Sequence, residues 1–392
     1  MAVQLSVYDD LDPVALRHRG TAKWNFYDAD VLALWVAEMD YPTAPVVLEA
    51  IRDAVERQEF GYPSLSSSTA LSQATAEWAK SRYSWVVDPL RVHVLPDVLK
   101  GVELGVSCYS PDGSPIILTT PAYMPFFEVP KVIGRPIIEV PMLRDAGRAE
   151  LDLDGIDAAF AAGAGTLILC NPYNPLGRSF SAGELSALAE VVDRHGARVV
   201  SDEIHGPLTY GRAHVPYASV SDVAARHSIT LVSASKAWNL PGLKCAQVIT
   251  SNDEDEERWQ KISRLSTHGA ATLGIDSNLA AYSSGASWLD QTLEYLDGNR
   301  HLLGELLADK LPEVGYVMPE ATYLSWLDFT KLGLGVEPAE FFLEHARVAM
   351  NPGIAFGSNG KGCARLNFAT SASILERAVT ALADAVHAAP RS

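Results

Sequence analysis

At 392 residues the chain is about twice the usual length of a single domain, which excludes a peptide or a mini-domain held together by disulfides. Against 48 acidic residues stand 31 basic ones, a formal net charge of −17, so nucleic acid and anionic lipid are disfavoured partners. With 48% hydrophobic and 20% charged residues, the composition is that of a globular protein with a sizeable core.

The opening MAVQLSVYDDLDP has early acids and no apolar stretch, so no secretory signal is expected there. No apolar run reaches the roughly 18 residues of a membrane span, and a soluble cytoplasmic protein is expected. Cys108, Cys170, Cys245 and Cys363 form no CxxC pair and read as reduced packing residues rather than a disulfide framework or a zinc site.

From residue 43 to 58, Val46, Val47, Ala50, Ile51, Ala54 and Val55 recur at helical spacing, with Pro45 allowed in the first turn. Between about 90 and 250 the pattern changes to short apolar runs ending in polar clusters: PIILTTPAY, TLILCNPYNP, ARVVSDEIH, ITLVSASK and CAQVITS. Such runs predict buried, mostly parallel strands covered by helices. One connecting helix is well marked, with Ser181 and Glu184 as a capping box and Gly196 closing it. Beyond about 285 come long helices near 286–310, 337–348 and 372–388, with the isolated strands TYLSWLDF and CARLNFAT. The expected architecture is α/β: a large domain over 45–285 built on a mostly parallel sheet, and a smaller α+β domain over 286–392 joined by residues 1–44.

Ligands of open α/β sheets sit beyond the carboxyl ends of the strands, so the residues after each run are the ones to inspect. There stand Tyr123, then Asn171 and Asn174, then Asp202 and His205, then Ser233, Ser235 and Lys236. A strand-end lysine alone is a common surface charge, a lone Asp a common helix cap, and Tyr123 could be core. The DxxH spacing of Asp202 and His205 could hint at a metal pair, but no further ligands fall at matching strand ends, and no metal is expected.

The combination resembles the fold type I pyridoxal-5′-phosphate (PLP) enzymes, the class I/II aminotransferase superfamily. WVAEMDYP (35–42), FGYP (60–63), PAYMPFF (121–127), NPYNPLG (171–177), SDEIHGPL (201–208), SASKAWNLPGLK (233–244) and RLNFAT (365–370) narrow it to the MalY/PatB branch of cystathionine β-lyases and C-S lyases. Leu176 departs from the threonine usual in that branch.

The resemblance implies PLP as cofactor and a role for each residue. Lys236 is the Schiff-base lysine and Cα base, helped by a lowered pKa. Asp202 faces the pyridine nitrogen, Asn174 donates to the phenolate oxygen, and Tyr123 stacks on the ring. His205 lies near the pyridine or the substrate. The phosphate falls to the helix opening at Asp97, Leu99 and Lys100, with Ser233, Ser235 and Lys244 beside it. Tyr62 implies a homodimer with shared active sites, since in relatives it reaches the neighbouring subunit's phosphate. Arg365 clamps the substrate α-carboxylate with its planar fork.

The implied reaction is β-elimination on L-cystathionine or another cysteine S-conjugate, giving a thiol, pyruvate and ammonia. The alternatives are an aminotransferase, or a family member with a regulatory or specialised biosynthetic role.

Overall fold

The computed structural model describes residues 6–145 and 147–389; MAVQL at the start, Ala146 and residues 390–392 lie outside the described residues. Its centre is a seven-stranded sheet. Across it the strands run Val92–Leu95, Ala246–Thr250, Ser228–Val232, Arg198–Asp202, Thr166–Cys170, Ile116–Thr120 and Ile137–Pro141. The five strands from Ser228–Val232 to Ile137–Pro141 pair in parallel. Three strands of the sheet, Ile116–Thr120, Thr166–Cys170 and Ala246–Thr250, are buried at every position. That is why these stretches read as unbroken apolar runs: helices cover both faces.

The structure corrects one orientation. Ala246–Thr250, from the CAQVITS run, lies antiparallel to both of its neighbours. An apolar run records burial on both faces but carries no direction, so the sequence pattern is blind to this. The reversal has a use, because it returns the start of that strand, Lys244 and Cys245, to the edge where the parallel strands end.

Two glycines set how closely a helix approaches the sheet. A Cβ on Gly101 would stand 2.5 Å from Leu231 Cδ2, and one on Gly105 would stand 2.7 Å from Val200 Cγ2. Helix Val98–Tyr109 therefore seats directly on the strands, with Asp97 capping its first turn through the Lys100 N–H at 2.9 Å. Helix Ala182–Arg194 opens with the capping box of Ser181 and Glu184, and Gly196 follows it at φ +56°.

A second sheet of four strands orders Gly315–Tyr316, Leu324–Asp328, Cys363–Asn367 and Asn351–Pro352. Its helices are Ala286–Lys310, Pro338–His345 and Ala372–Ala388. The middle one stops short of the expected 348, because Arg347 turns to φ +55° and Val348–Ala349 leaves as a strand. That strand pairs with Leu32–Ala33, so the N-terminal segment is stitched to the second sheet. The helix expected over 43–58 spans Pro45–Glu56, starting at the proline itself. No helix among the described residues is long and apolar enough to cross a membrane.

Candidate active site

The register of the parallel strands decides what meets at their carboxyl edge. Cys170 lies beside Asp202, and Asp202 beside Leu231, so the loops beginning at Asn171, Glu203 and Ser233 leave from adjacent points. Asp202 ends its strand, Lys236, His205 and Asn174 are carried on these loops, and Tyr123 follows the strand ending at Thr120.

The second sheet supplies Arg365 from the strand Cys363–Asn367. Its side chain is 2% exposed and reaches across to the first sheet, where Nη1 donates to Asn174 Oδ1 at 3.0 Å. Nη2 donates to the Trp35 carbonyl at 3.0 Å, the guanidinium lies 5.0 Å over the Phe356 ring, and Nε is buried with no hydrogen-bond partner among the described residues. A buried guanidinium that meets no carboxylate is poised to receive one.

Between the two sheets runs the segment 35–40, whose carbonyls act as acceptors for the site. The Ala37 carbonyl receives Lys236 Nζ at 2.9 Å and Tyr323 Oη at 3.0 Å. Asn367 Nδ2 donates to the carbonyls of Val36 and Glu38, each at 2.7 Å. Asn239 closes two further bonds with the Met39 backbone, at 2.9 and 2.8 Å. Asp40 anchors the end of the segment through Lys23 Nζ at 3.0 Å and Trp24 Nε1 at 2.6 Å.

Burial and neighbouring charge tune these groups. Desolvation, with the Arg365 cation adding to it, pushes the Lys236 ammonium down to about 8. Desolvation pushes the Asp202 carboxyl up to about 7; the Ile204 N–H works against this and Glu203 works with it. His205 is pushed down to about 3 by burial and by the Lys236 and Arg365 cations, so its imidazole is neutral, and Nδ1 is buried without a partner among the described residues. Burial raises the Tyr123 phenol, which also senses Arg365 and Asp202. A lysine depressed and a carboxyl raised in one cleft is the electrostatic mark of a functional site.

Lys236, Asp202, His205, Asn174, Tyr123 and Arg365 thus come together. The phosphate candidates are placed less uniformly. Lys244 Nζ meets Asp97 Oδ2 at 3.0 Å, bringing a cation to the N-terminus of helix Val98–Tyr109. Lys100 is committed elsewhere, its N–H to Asp97 and its Nζ to Glu103. Leu99 lies in the same first turn and packs its side chain against the core. Ser233 Oγ donates to the Cys245 carbonyl at 2.7 Å and accepts the Ser235 N–H at 3.0 Å, which shapes the turn before Lys236. Tyr62 is fully exposed on the wall of a groove shared with Phe60, Arg264, Leu265 and His268, so its own chain does not bring it to this site.

Sequence reasoning missed the carbonyls of Trp35 and Ala37, and Tyr323. Backbone carbonyls leave no residue signature, and Tyr323 stood inside a run readable only as a strand.

The residues fit PLP. The depressed amine of Lys236 suits an aldehyde, the buried Asp202 carboxyl suits a protonated pyridine nitrogen, and Asn174, its Oδ1 taken by Arg365, keeps Nδ2 as donor for a phenolate oxygen. The partnerless His205 Nδ1 and Arg365 Nε show polar capacity that the described residues do not satisfy.

Comparison with known proteins agrees. Residues 29–382 match the family model for aminotransferase class I and II. A cystathionine β-lyase of Corynebacterium glutamicum is 41% identical over 94% of this chain and 97% of its own. Cystathionine β-lyase PatB of Bacillus subtilis is 33% identical over 91% and 94%. The PLP-bound C-S lyase of Staphylococcus hominis superposes with a TM-score of 0.89 at 26% identity, covering 97% of this chain and 99% of that one. From motif order, site geometry and these likenesses together, the chain belongs to the PLP-dependent class I and II aminotransferase family, in its MalY/PatB branch of carbon-sulfur lyases.

Proposed function

We propose that the chain catalyses β-elimination on L-cystathionine or a related cysteine S-conjugate, releasing a thiol, pyruvate and ammonia. The observation that carries this reading is the pairing of Lys236, its ammonium pushed down to about 8, with a buried Arg365 that meets no carboxylate among the described residues. The first is a base poised near neutral pH and the second a receptor for an amino-acid carboxylate.

PLP, when bound, supplies an electron sink for the pair left on Cα once its proton departs. Arg365 binds the substrate α-carboxylate with both Nη atoms, exchanging the Trp35 carbonyl for a charged partner and fixing Cα over the cleft. Lys236 Nζ, released from the Ala37 carbonyl, takes the Cα proton. Asp202 would hold a proton at the ring nitrogen, Asn174 Nδ2 would donate to the phenolate oxygen, and Tyr123 would lie against the ring. Lys236, now protonated, or a tyrosine of the cleft returns a proton to the sulfur as the Cβ–S bond breaks, and the three-carbon enamine that is released takes up water to give pyruvate and ammonia. Lys244 and the first turn at Leu99 would hold the phosphate.

Residues 45–285 serve as the cofactor domain, and 1–44 with 286–392 form the smaller domain, supported by the pairing of Leu32–Ala33 with Val348–Ala349. A second copy covers the groove that carries Tyr62: Phe60, Tyr62, Leu65 and Leu265 are all more than 60% exposed around it, a row of large apolar side chains unusual on a free surface. A cytoplasmic location suits the four free cysteines.

The test follows pyruvate and free thiol from L-cystathionine with and without an added keto acid. Equal amounts of both products, independent of keto acid, are expected. Turnover that requires a keto acid would make the chain an aminotransferase, and silence under both conditions would exclude L-cystathionine and direct the search to a specialised substrate or a regulatory role.

A further inference from the structure

Directly after Asp202 stands Glu203, which the mechanism above does not use. Side chains alternate along a strand, so the two carboxyls leave the strand end on opposite sides. Glu203 is 2% exposed, yet its carboxylate is fully engaged. Oε1 accepts from Ser201 Oγ and from the Tyr217 N–H, both at 2.8 Å, and Oε2 accepts from His214 Nε2 at 2.7 Å. His214 is equally buried and packs edge-on against Tyr83 at 5.1 Å. Its Nδ1 meets no partner among the described residues, which assigns the imidazole an Nε2–H tautomer aimed at Glu203.

We propose that Glu203, clamped by His214, Ser201 and Tyr217, is a positioning residue that acts through Asp202 to hold the proton on the cofactor's ring nitrogen. All three donors to Glu203 are neutral dipoles that orient its charge without cancelling it, and the surroundings are too dry to screen it. The unit formed by Asp202 and the ring nitrogen is neutral when it carries its proton and negative when it does not. A fixed negative charge one residue away disfavours the second state and so raises the unit's affinity for the proton. The same influence is visible in the protein alone, where Glu203 contributes to the upward displacement of Asp202. A clamp that served packing alone would have no need of a carboxylate beside another carboxylate in a buried position.

This inference rests on the reading of Asp202 as the partner of the ring nitrogen, and a double-mutant cycle separates the two. Holoenzyme loaded with PLP labelled with 15N in the ring is titrated by NMR, and retention of the cofactor is measured alongside, for the parent, Glu203→Gln, Asp202→Asn and the double variant. Glu203→Gln is expected to move the loss of the ring proton toward lower pH by about one unit and to weaken retention roughly tenfold. Glu203→Asp, which keeps the charge, restores most of both. In the Asp202→Asn background the same substitution is expected to do nothing further. A ring signal in Glu203→Gln that titrates as in the parent, or an equal shift in the Asp202→Asn background, overturns the proposal. An Asp202→Asn variant whose ring signal matches the parent overturns the reading of Asp202 instead. Should Glu203→Gln not fold, His214→Asn is the substitute: a carboxylate stripped of its buried donor takes up a proton more readily, so the ring signal moves in the same direction, and an unmoved signal counts against the proposal.

Discussion

Arg365 Nη1 donates to Asn174 Oδ1 across 3.0 Å, joining a strand of the second sheet to the loop that leaves the first. One residue is assigned to the substrate and the other to the cofactor, so each orients the other before either ligand arrives. Arg365→Lys keeps the charge but loses the planar fork, and KM for the amino acid is expected to rise about 10- to 100-fold with a smaller change in kcat. A substrate analogue lacking the α-carboxylate supplies the control, because it should be processed poorly and equally by parent and variant. A variant that discriminates as well as the parent does would remove Arg365 from carboxylate binding.

Asp202 makes the stability of the cofactor-free protein fall with pH. Its carboxyl is pushed up to about 7 in the fold, against roughly 4 in an unfolded chain. Between those values the folded state binds more protons than the unfolded one, so this contribution is fully present below pH ~4 and is lost as pH rises through ~7. Apo Asp202→Asn, which stays neutral, should therefore be more stable than the apo parent by about 2–4 kcal/mol at pH 8 and no more stable at pH 4. Urea unfolding at the two pH values decides the matter; parallel pH dependences would contradict it.

Lys236 points the other way. With its ammonium pushed down to about 8, the neutral amine gains ground as pH rises through that value. The rate at which apoprotein captures PLP should climb between pH ~7 and ~9 and then level off, as stopped-flow absorbance would record. Lys236→Ala should fold normally, release the cofactor on dialysis and show no turnover. A variant that still turned over would exclude this lysine as the base.

Tyr62 offers a test of shared sites. Tyr62→Ala and Lys236→Ala homodimers are each expected to be nearly inactive. Mixed and refolded together, they form hybrids in which one of the two sites has all its native residues, so about a quarter of parental activity should return at equal proportions. No recovery on mixing, with hybrids verified by mass, would place Tyr62 outside the partner's site.

Helix Val98–Tyr109 has no room for a side chain at Gly101 or Gly105, where it meets the sheet. A Cβ on Gly105 would stand 2.7 Å from Val200 Cγ2 and 2.8 Å from Ile229 Cδ1. Gly105→Ala should cost about 1–3 kcal/mol in urea unfolding, because neither branched neighbour sits on a free chain end. A loss under about half a kcal/mol would mean that the helix can lift without penalty.

The sequence was most legible where chemistry is written in side chains at strand ends. Lys236, Asp202, Asn174 and Arg365 could each be named from a short motif, and the capping box of Ser181 and Glu184 from its spacing. The orientation of Ala246–Thr250 could not be read, since burial on both faces looks the same in either direction. Nor could the acceptors of Lys236 and Arg365, because the carbonyls of Ala37 and Trp35 would be present whatever side chains stood there. Glu203 and His214 lie 11 positions apart with no periodic relation, and only the return of the chain past Tyr217 joins them.

The bond from Arg365 to the Trp35 carbonyl spans 330 positions of sequence, and that distance sets an order of events during synthesis. The seven-stranded sheet is complete once residue 250 has been made, so most of the cofactor's contacts can assemble while a third of the polypeptide is still to come. Residues 35–40 must then wait, already emerged, for the strand Cys363–Asn367 to be threaded beside them. A growing chain can therefore own the lysine and the acid long before it can grip an amino acid. A chain that stops between residue 250 and Arg365 carries Lys236 and Asp202 but lacks the guanidinium proposed to select what reacts with them.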